Sequence, residues 1–157
     1  MREHMESENH HDFYTTIGTF SHPRYEICAT GDVYDGEEEV RAYFAETRRA
    51  FPDQRNEVIE LHHADEAVVA EFWLRGTHAG PLRGLPATGR KFECRMTAIF
   101  MFEGDKIVCE RVYFDSATIL RQLGVASDPQ SLRGRAGTLL GHPLTIGRAV
   151  ARQLRRR

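Results

Sequence analysis

Cysteine is scarce in this chain of 157 residues: Cys28, Cys94 and Cys109 are the only three, and no two form a CxxC pair. That spacing argues against a disulfide framework or a cysteine-built zinc module, and makes a reducing compartment, the cytoplasm, the expected location. Long apolar runs are also missing. The longest, Ala98 to Phe102, falls far short of the ~20 residues a spanning helix needs. The first ten residues carry charges of both signs and no apolar block, so a secretory leader is not expected. There is no glycine-rich phosphate loop, GxSxG elbow, HExxH helix or acidic calcium loop. His10-His11-Asp12 and His62-His63 with Asp65 suggest metal ligands, but adjacent strand residues point to opposite faces, so His62 and His63 cannot share one ion. The expectation is therefore no metal. Acidic residues are absent after Asp128.

That last absence divides the chain. Residues 1–128 hold all 23 carboxylates and 14 of the 21 Lys and Arg, a charge of −9, whereas the remainder carries seven arginines and no acid. So acidic a body should repel nucleic acid, and any polyanion would have to meet the tail. With 41% hydrophobic and 28% charged residues the composition is globular. We expect one domain over 1–128 and a basic, partly helical tail over 129–157.

The body reads as helices followed by strands. Residues 2–11 contain no helix breaker, and Asp12 offers an N-cap to Phe13, Ile17 and Phe20 at helical spacing. Residues 24–30 read as a short strand. Residues 36–51 form the clearest helix: Asp35 as cap, Glu37 to Glu39 in the first turn, Arg48 and Arg49 in the last, and Pro52 as stop. The apolar period then changes to two, giving strands over 55–63, 67–78, 91–103 and 106–114. Tight turns at 64–66 and 104–105 make them antiparallel neighbours, and 79–90, with three glycines and two prolines, forms a wide loop at the rim. A last helical segment covers 116–123. Helices segregated to one face of a curled antiparallel sheet make an α+β domain, and the enclosed cavity is the natural ligand site.

Asp115 ends an apolar strand and opens a helix. It is either a general base or acid whose pKa rises at the mouth of an apolar cavity, or a helix cap. His78, in Gly76-Thr77-His78-Ala79-Gly80, either hydrogen-bonds a substrate carbonyl or holds the loop backbone. His22, before Pro23, lines the cavity or anchors a turn. Glu71, Trp73 and Arg75 on one strand, and Glu93 and Arg95 on the next, give each strand a polar face. Facing inward they form a charged lining; facing outward they form cross-strand ion pairs of small value. His22, Trp73, Arg95 and Tyr113 are the candidate substrate contacts. In the tail, Ile146, Val150 and Leu154 recur at i, i+4, i+8 opposite Arg148, Arg152 and Arg155. This amphipathic basic helix could lie on an anionic membrane, pack on the acidic body, or simply be solvated.

The series GTHAG at 76–80, LPATGR at 85–90, the Gly104-Asp105 turn with Lys106-Ile107, Tyr113-Phe114-Asp115 and Gln122-Leu123-Gly124 resembles the SnoaL-like polyketide cyclases, or ester cyclases. These belong to the superfamily of nuclear transport factor 2 and ketosteroid isomerase. The resemblance covers residues 2–125. It implies a cone-shaped curved sheet wrapped by N-terminal helices around an apolar pocket, a homodimer, and no cofactor or metal. It also implies an aspartate at the end of the last strand, here Asp115, acting as general acid/base in an intramolecular aldol closure, with His78 as the histidine of the motif. The expected partner is a hydrophobic, polyketide-like or polycyclic carbonyl compound, on which cyclisation or isomerisation proceeds by proton transfer. The alternatives are a binding module that sequesters the same molecule without turnover, and an interaction protein working through its sheet face and tail.

Overall fold

The computed structural model describes residues 1–155. Six strands form one curved sheet in the order β2-β1-β6-β5-β4-β3. β3 (Arg55–His63), β4 (Ala67–Thr77), β5 (Lys91–Glu103) and β6 (Lys106–Phe114) follow one another as an antiparallel meander. β1 (Arg24–Ile27) then pairs in parallel with β6, placing Tyr25 opposite Glu110, and β2 (Asp32–Asp35) closes that edge as a hairpin partner. Bulges at Val58/Glu60 and Met101/Phe102 add the local twist that curls long strands. The mixed α+β architecture with a curved open sheet matches the expectation from the sequence.

Alternation within the meander decides which side is core. Phe72 of β4, Phe92, Cys94, Met96, Ala98 and Phe100 of β5, and Val112 of β6 are buried on the inner face. Against that face lie α1 (Arg2–Asn9), α2 (Phe13–Gly18) and α3 (Glu37–Ala50), which bury Met5, Ile17, Val40 and Phe44. Asp12 caps α2 as expected, accepting the Thr15 N–H at 3.1 Å. The start of α3 differs from expectation. Gly36 is its N-cap, at φ 94°, a conformation open to glycine, and Asp35 is the last residue of β2. The Asp35 carboxylate is occupied by His22 and Arg24, and the first turn is instead closed by Glu39, which accepts the Asp35 N–H at 2.8 Å. β2 escaped the sequence reading because four residues of mixed exposure carry no periodic signal.

α4 (Ser116–Gln122) follows β6, and α5 (Leu132–Gly141) and α6 (Pro143–Leu154) complete the chain. α5 is a helix the sequence reading did not contain; three glycines in its ten residues mask its period. Among the described residues no helix is long and apolar enough to cross a membrane.

The GTHAG segment is where the wide loop meets α3. Ala79 and Gly80 both donate to the Ala50 carbonyl, at 2.9 and 3.1 Å. A Cβ on Gly80 would lie 2.1 Å from the Arg49 carbonyl oxygen. Gly80→Ala should therefore cost about 1–3 kcal/mol of stability, the range for overpacking a rigid site. A urea titration measures it; an unchanged midpoint would show that the loop yields.

Candidate functional site

α1 presents His4 and Glu8 one turn apart on its inner face, because Met5 and the clamp at its C-terminal end fix its rotation. Asn9 donates to the Asn56 carbonyl at 2.8 Å and its Oδ1 accepts the Asn56 N–H at 2.6 Å, tying α1 to β3. Beneath α1, Tyr25 of β1 and Glu110 of β6 rise from the sheet. All four side chains are buried, His4 completely.

Their hydrogen bonds form one network. His4 Nδ1 lies 2.9 Å from Thr19 Oγ1, whose hydroxyl donates to the Thr16 carbonyl, so Nδ1–H is the donor. His4 Nε2 lies 3.1 Å from Glu110 Oε2 and 3.1 Å from the Tyr25 hydroxyl, which donates to Glu8 Oε1. Asn56 Nδ2 donates to Glu8 Oε2 at 2.6 Å. With Nδ1 committed to Thr19, Nε2 either accepts a proton from Glu110 or donates one to it. The His4–Glu110 pair is a hydrogen bond between two buried side chains.

Burial and neighbouring charge shift both groups. Burial raises the Glu110 carboxyl above its usual range, and the His4 hydrogen bond opposes this only in part. Burial pulls His4 down, but the Glu110 hydrogen bond and the charges of Glu110 and Glu8 outweigh it, so the imidazole holds its proton above its ordinary value. The Tyr25 phenol is pushed well up by burial and by Glu110 and Glu8. His4, Glu8 and Glu110 also place ligand atoms within 4.8 Å of one another, so they are the group that could close on a cation. In the structure their lone pairs are turned to each other and to Asn56 and Tyr25.

A cavity of about 40 Å³ adjoins this network, lined by Glu8, Tyr25 and Glu110, by apolar Phe72 and Met96, and by Arg48 of α3. The Arg48 Nε is buried without a hydrogen-bond partner. The roomy apolar chamber expected from the resemblance is thus largely filled, by Tyr25, Phe44 and Phe100 among others. Two larger clefts, of about 640 and 790 Å³, lie elsewhere. One is beside α2 and the Asp105–Ile107 turn; the other is near Asp53, Arg75 and Lys91. No buried ionisable group lines either, so the chemistry points to the small cavity and not to the large clefts.

The residues favoured from sequence lie apart from this cluster. Asp115 caps α4: its carboxylate accepts the Ala117 N–H at 2.9 Å and the Thr118 hydroxyl at 2.5 Å, and meets Arg121 at 3.3 Å. It is solvent-exposed, and the Thr118 hydroxyl with the backbone N–H groups holds its pKa below the ordinary value, opposite to the rise expected of a base near neutrality. His78 is fully buried and holds the loop, its Nδ1 accepting the Thr88 N–H at 3.2 Å. Its Nε2 is buried without a partner beside the Phe51 ring. His22 is exposed and bonds Asp35 at 2.5 Å.

Trp73, Arg95 and Tyr113 are on the outer face, opposite the core side chains of the same strands. Arg95 pairs with Glu71 at 2.6 Å, Arg75 pairs with Glu93 at 2.9 Å and with Glu57, and the Arg75 guanidinium sits 5.7 Å from the Trp73 ring. Tyr113 lies opposite Thr97. The inward charged lining is therefore replaced by outward ion pairs, because Phe72 and Cys94 take the core positions. Two signals in the sequence did point to the observed cluster: Glu110 shares strand parity with Val112 and Phe114, and His4 and Glu8 are one turn apart beside Met5.

The model of the SnoaL-like polyketide cyclases matches residues 1–123, which span the meander and every member of the cluster. The chain belongs to the SnoaL-like polyketide cyclase family. No curated protein matches it. Among solved structures, this SnoaL-like chain is similar to IdmH of Streptomyces antibioticus, a proposed polyketide cyclase, with 26% identity and a TM-score of 0.68 over 79% of this chain and 95% of that one. It is similar in fold to AclR of Streptomyces galilaeus, a proposed hydroxylase, at 20% identity and a TM-score of 0.69, covering 80% and 92% of the two chains. A Catenulispora acidiphila protein with a ketosteroid isomerase-like fold, solved with trimethylamine, aligns at 17% identity and a TM-score of 0.69 over 79% and 91%. The SnoaL-like fold hosts more than one assignment, so the chemistry has to be argued from the buried cluster.

Proposed function

We propose that this protein is a proton-transfer enzyme of the cyclase or isomerase type, acting beside a carbonyl of a hydrophobic polyketide-like or polycyclic substrate. Glu110 is the acid/base, not Asp115. One observation carries this: a buried carboxylate and a buried imidazole hydrogen-bond at 3.1 Å, beside a cavity that Arg48 also lines. Glu110 takes the proton from the carbon next to the carbonyl. The C–H electron pair moves into the enolate, whose oxygen is stabilised by Arg48. The enolate carbon then either regains a proton from Glu110 at another position or attacks a second carbonyl of the same molecule, the new alkoxide taking that proton. His4, held by Thr19, sets the proton affinity of Glu110.

A cavity of about 40 Å³ holds a water or two, against the ~300 Å³ or more of ligand sites. Substrate entry therefore needs the packing around this cavity to open while His4 stays on Glu110. The filled interior also favours a second reading, in which the cluster only locks α1 in place. Deuterium uptake separates the two. In D2O, 1-tetralone and its tricyclic homologues should exchange their α-protons faster with the protein than in buffer, followed by NMR. Rates equal to buffer across the series, with the protein folded, would leave the locking role alone.

A further inference from the structure

The tail is a separate feature that the acid–base site does not use. α5 and α6 pack mainly on each other, and α6 has no buried residue. Leu140, Leu144 and Leu154 are 83%, 76% and 68% exposed, and Leu132, Leu139 and Val150 are also exposed. On α6, Ile146, Val150 and Leu154 share one face, while Arg148, Arg152 and Arg155 occupy the other. Ser131 caps α5 through the Gly134 N–H at 3.0 Å, and Pro143 sits in the first turn of α6, so both helices begin at defined points.

We infer that the α5–α6 hairpin is an anchor for an anionic lipid surface. Three observations select that occupant. The hairpin carries only cations, with all seven charges after Asp128 arginine. Among the described residues Arg133, Arg135, Arg148, Arg152 and Arg155 form no ion pair, although the body they are joined to carries −9. The apolar stripe and its flanking arginines match a helix lying in an interface plane, where guanidinium groups reach headgroups and leucines reach acyl chains. A second copy of the hairpin would bring its four arginines, Arg133, Arg135, Arg148 and Arg152, against the first, whereas an anionic surface neutralises them. The same surface repels the acidic body, which leaves the tail as the part that meets the lipid.

The test is co-sedimentation of the full chain with vesicles of phosphatidylcholine alone or mixed with phosphatidylglycerol. Partitioning should be at least about tenfold stronger on the mixed vesicles and should fall steeply with added NaCl. Val150→Asp with Leu154→Asp, and separately Arg148→Glu with Arg152→Glu, should each lower it by about tenfold or more, with the melting temperature unchanged. Equal partitioning on both vesicle types, or unchanged binding by both variants, overturns the inference. So does a dimer seen by light scattering that the Val150→Asp, Leu154→Asp variant splits in a protein with no affinity for vesicles.

Discussion

Glu110→Gln should slow α-proton exchange by about 10²- to 10⁴-fold, the range general acid–base catalysis supplies. The substitution keeps size and a polar partner for His4 Nε2 but removes the group that accepts the proton. Asp115→Asn should leave the rate within about twofold, since that carboxylate is exposed and bound to its own helix turn. The two variants, assayed side by side, place the base. A large loss with Asp115→Asn and none with Glu110→Gln would return the catalytic role to the strand end and reduce the buried network to a fastener. Arg48→Met should also slow exchange, with the loss in the rate at saturation, because the enolate charge exists only after the proton has left.

His4→Ala should destabilise the fold by about 3–5 kcal/mol, the cost of breaking a buried ionic pair by removing one partner. Glu110 and Glu8 would then face each other without the imidazole between them, and Thr19 would lose the ring it holds. The sign of the pH dependence follows from the direction of both shifts. His4 has its folded pKa raised, so its contribution is complete below 6.5 and is lost as pH rises through the folded value. Glu110 also has its folded pKa raised, so above 4.5 the unfolded chain releases its proton first and stability again falls as pH rises. Tyr25, Glu8 and Arg48 complete the set facing the pair. Exposed carboxylates such as Asp115, held below their usual range, act in the other direction and only in stronger acid. Urea titrations between pH 5 and 8 should show stability declining with pH in the wild type. A profile that rises over that range would contradict the direction of both shifts.

The strands were legible because their period is strict. Residues 55–63, 91–103 and 106–114 fall on the observed boundaries, and α3 is one residue shorter at each end because Gly36 and Phe51 take the caps. The site was less legible, for a physical reason. Asp115 has the residue type and strand-end position of a catalyst, but one helix turn satisfies its carboxylate completely. His78 holds the loop backbone through Nδ1, and no local pattern shows that Thr88 is the residue it meets. The network that gathers buried protons is built from residues 106 positions apart, His4 and Glu110. Only the parallel seating of β1 against β6 brings Tyr25 level with Glu110, and no local pattern announces a parallel pair between the first and last strands.

That parallel seating also orders assembly. Hairpin turns join β3 to β4 and β5 to β6, so the meander can zip from neighbouring segments. β1 must wait for a partner some 85 residues downstream, as in the Glu26–Arg111 contact. During synthesis from the N-terminus, β1 therefore has only its hairpin partner β2 to pair with until β6 has left the ribosome. The His4–Glu110 hydrogen bond forms only at that final docking, so its presence marks chains that have completed folding.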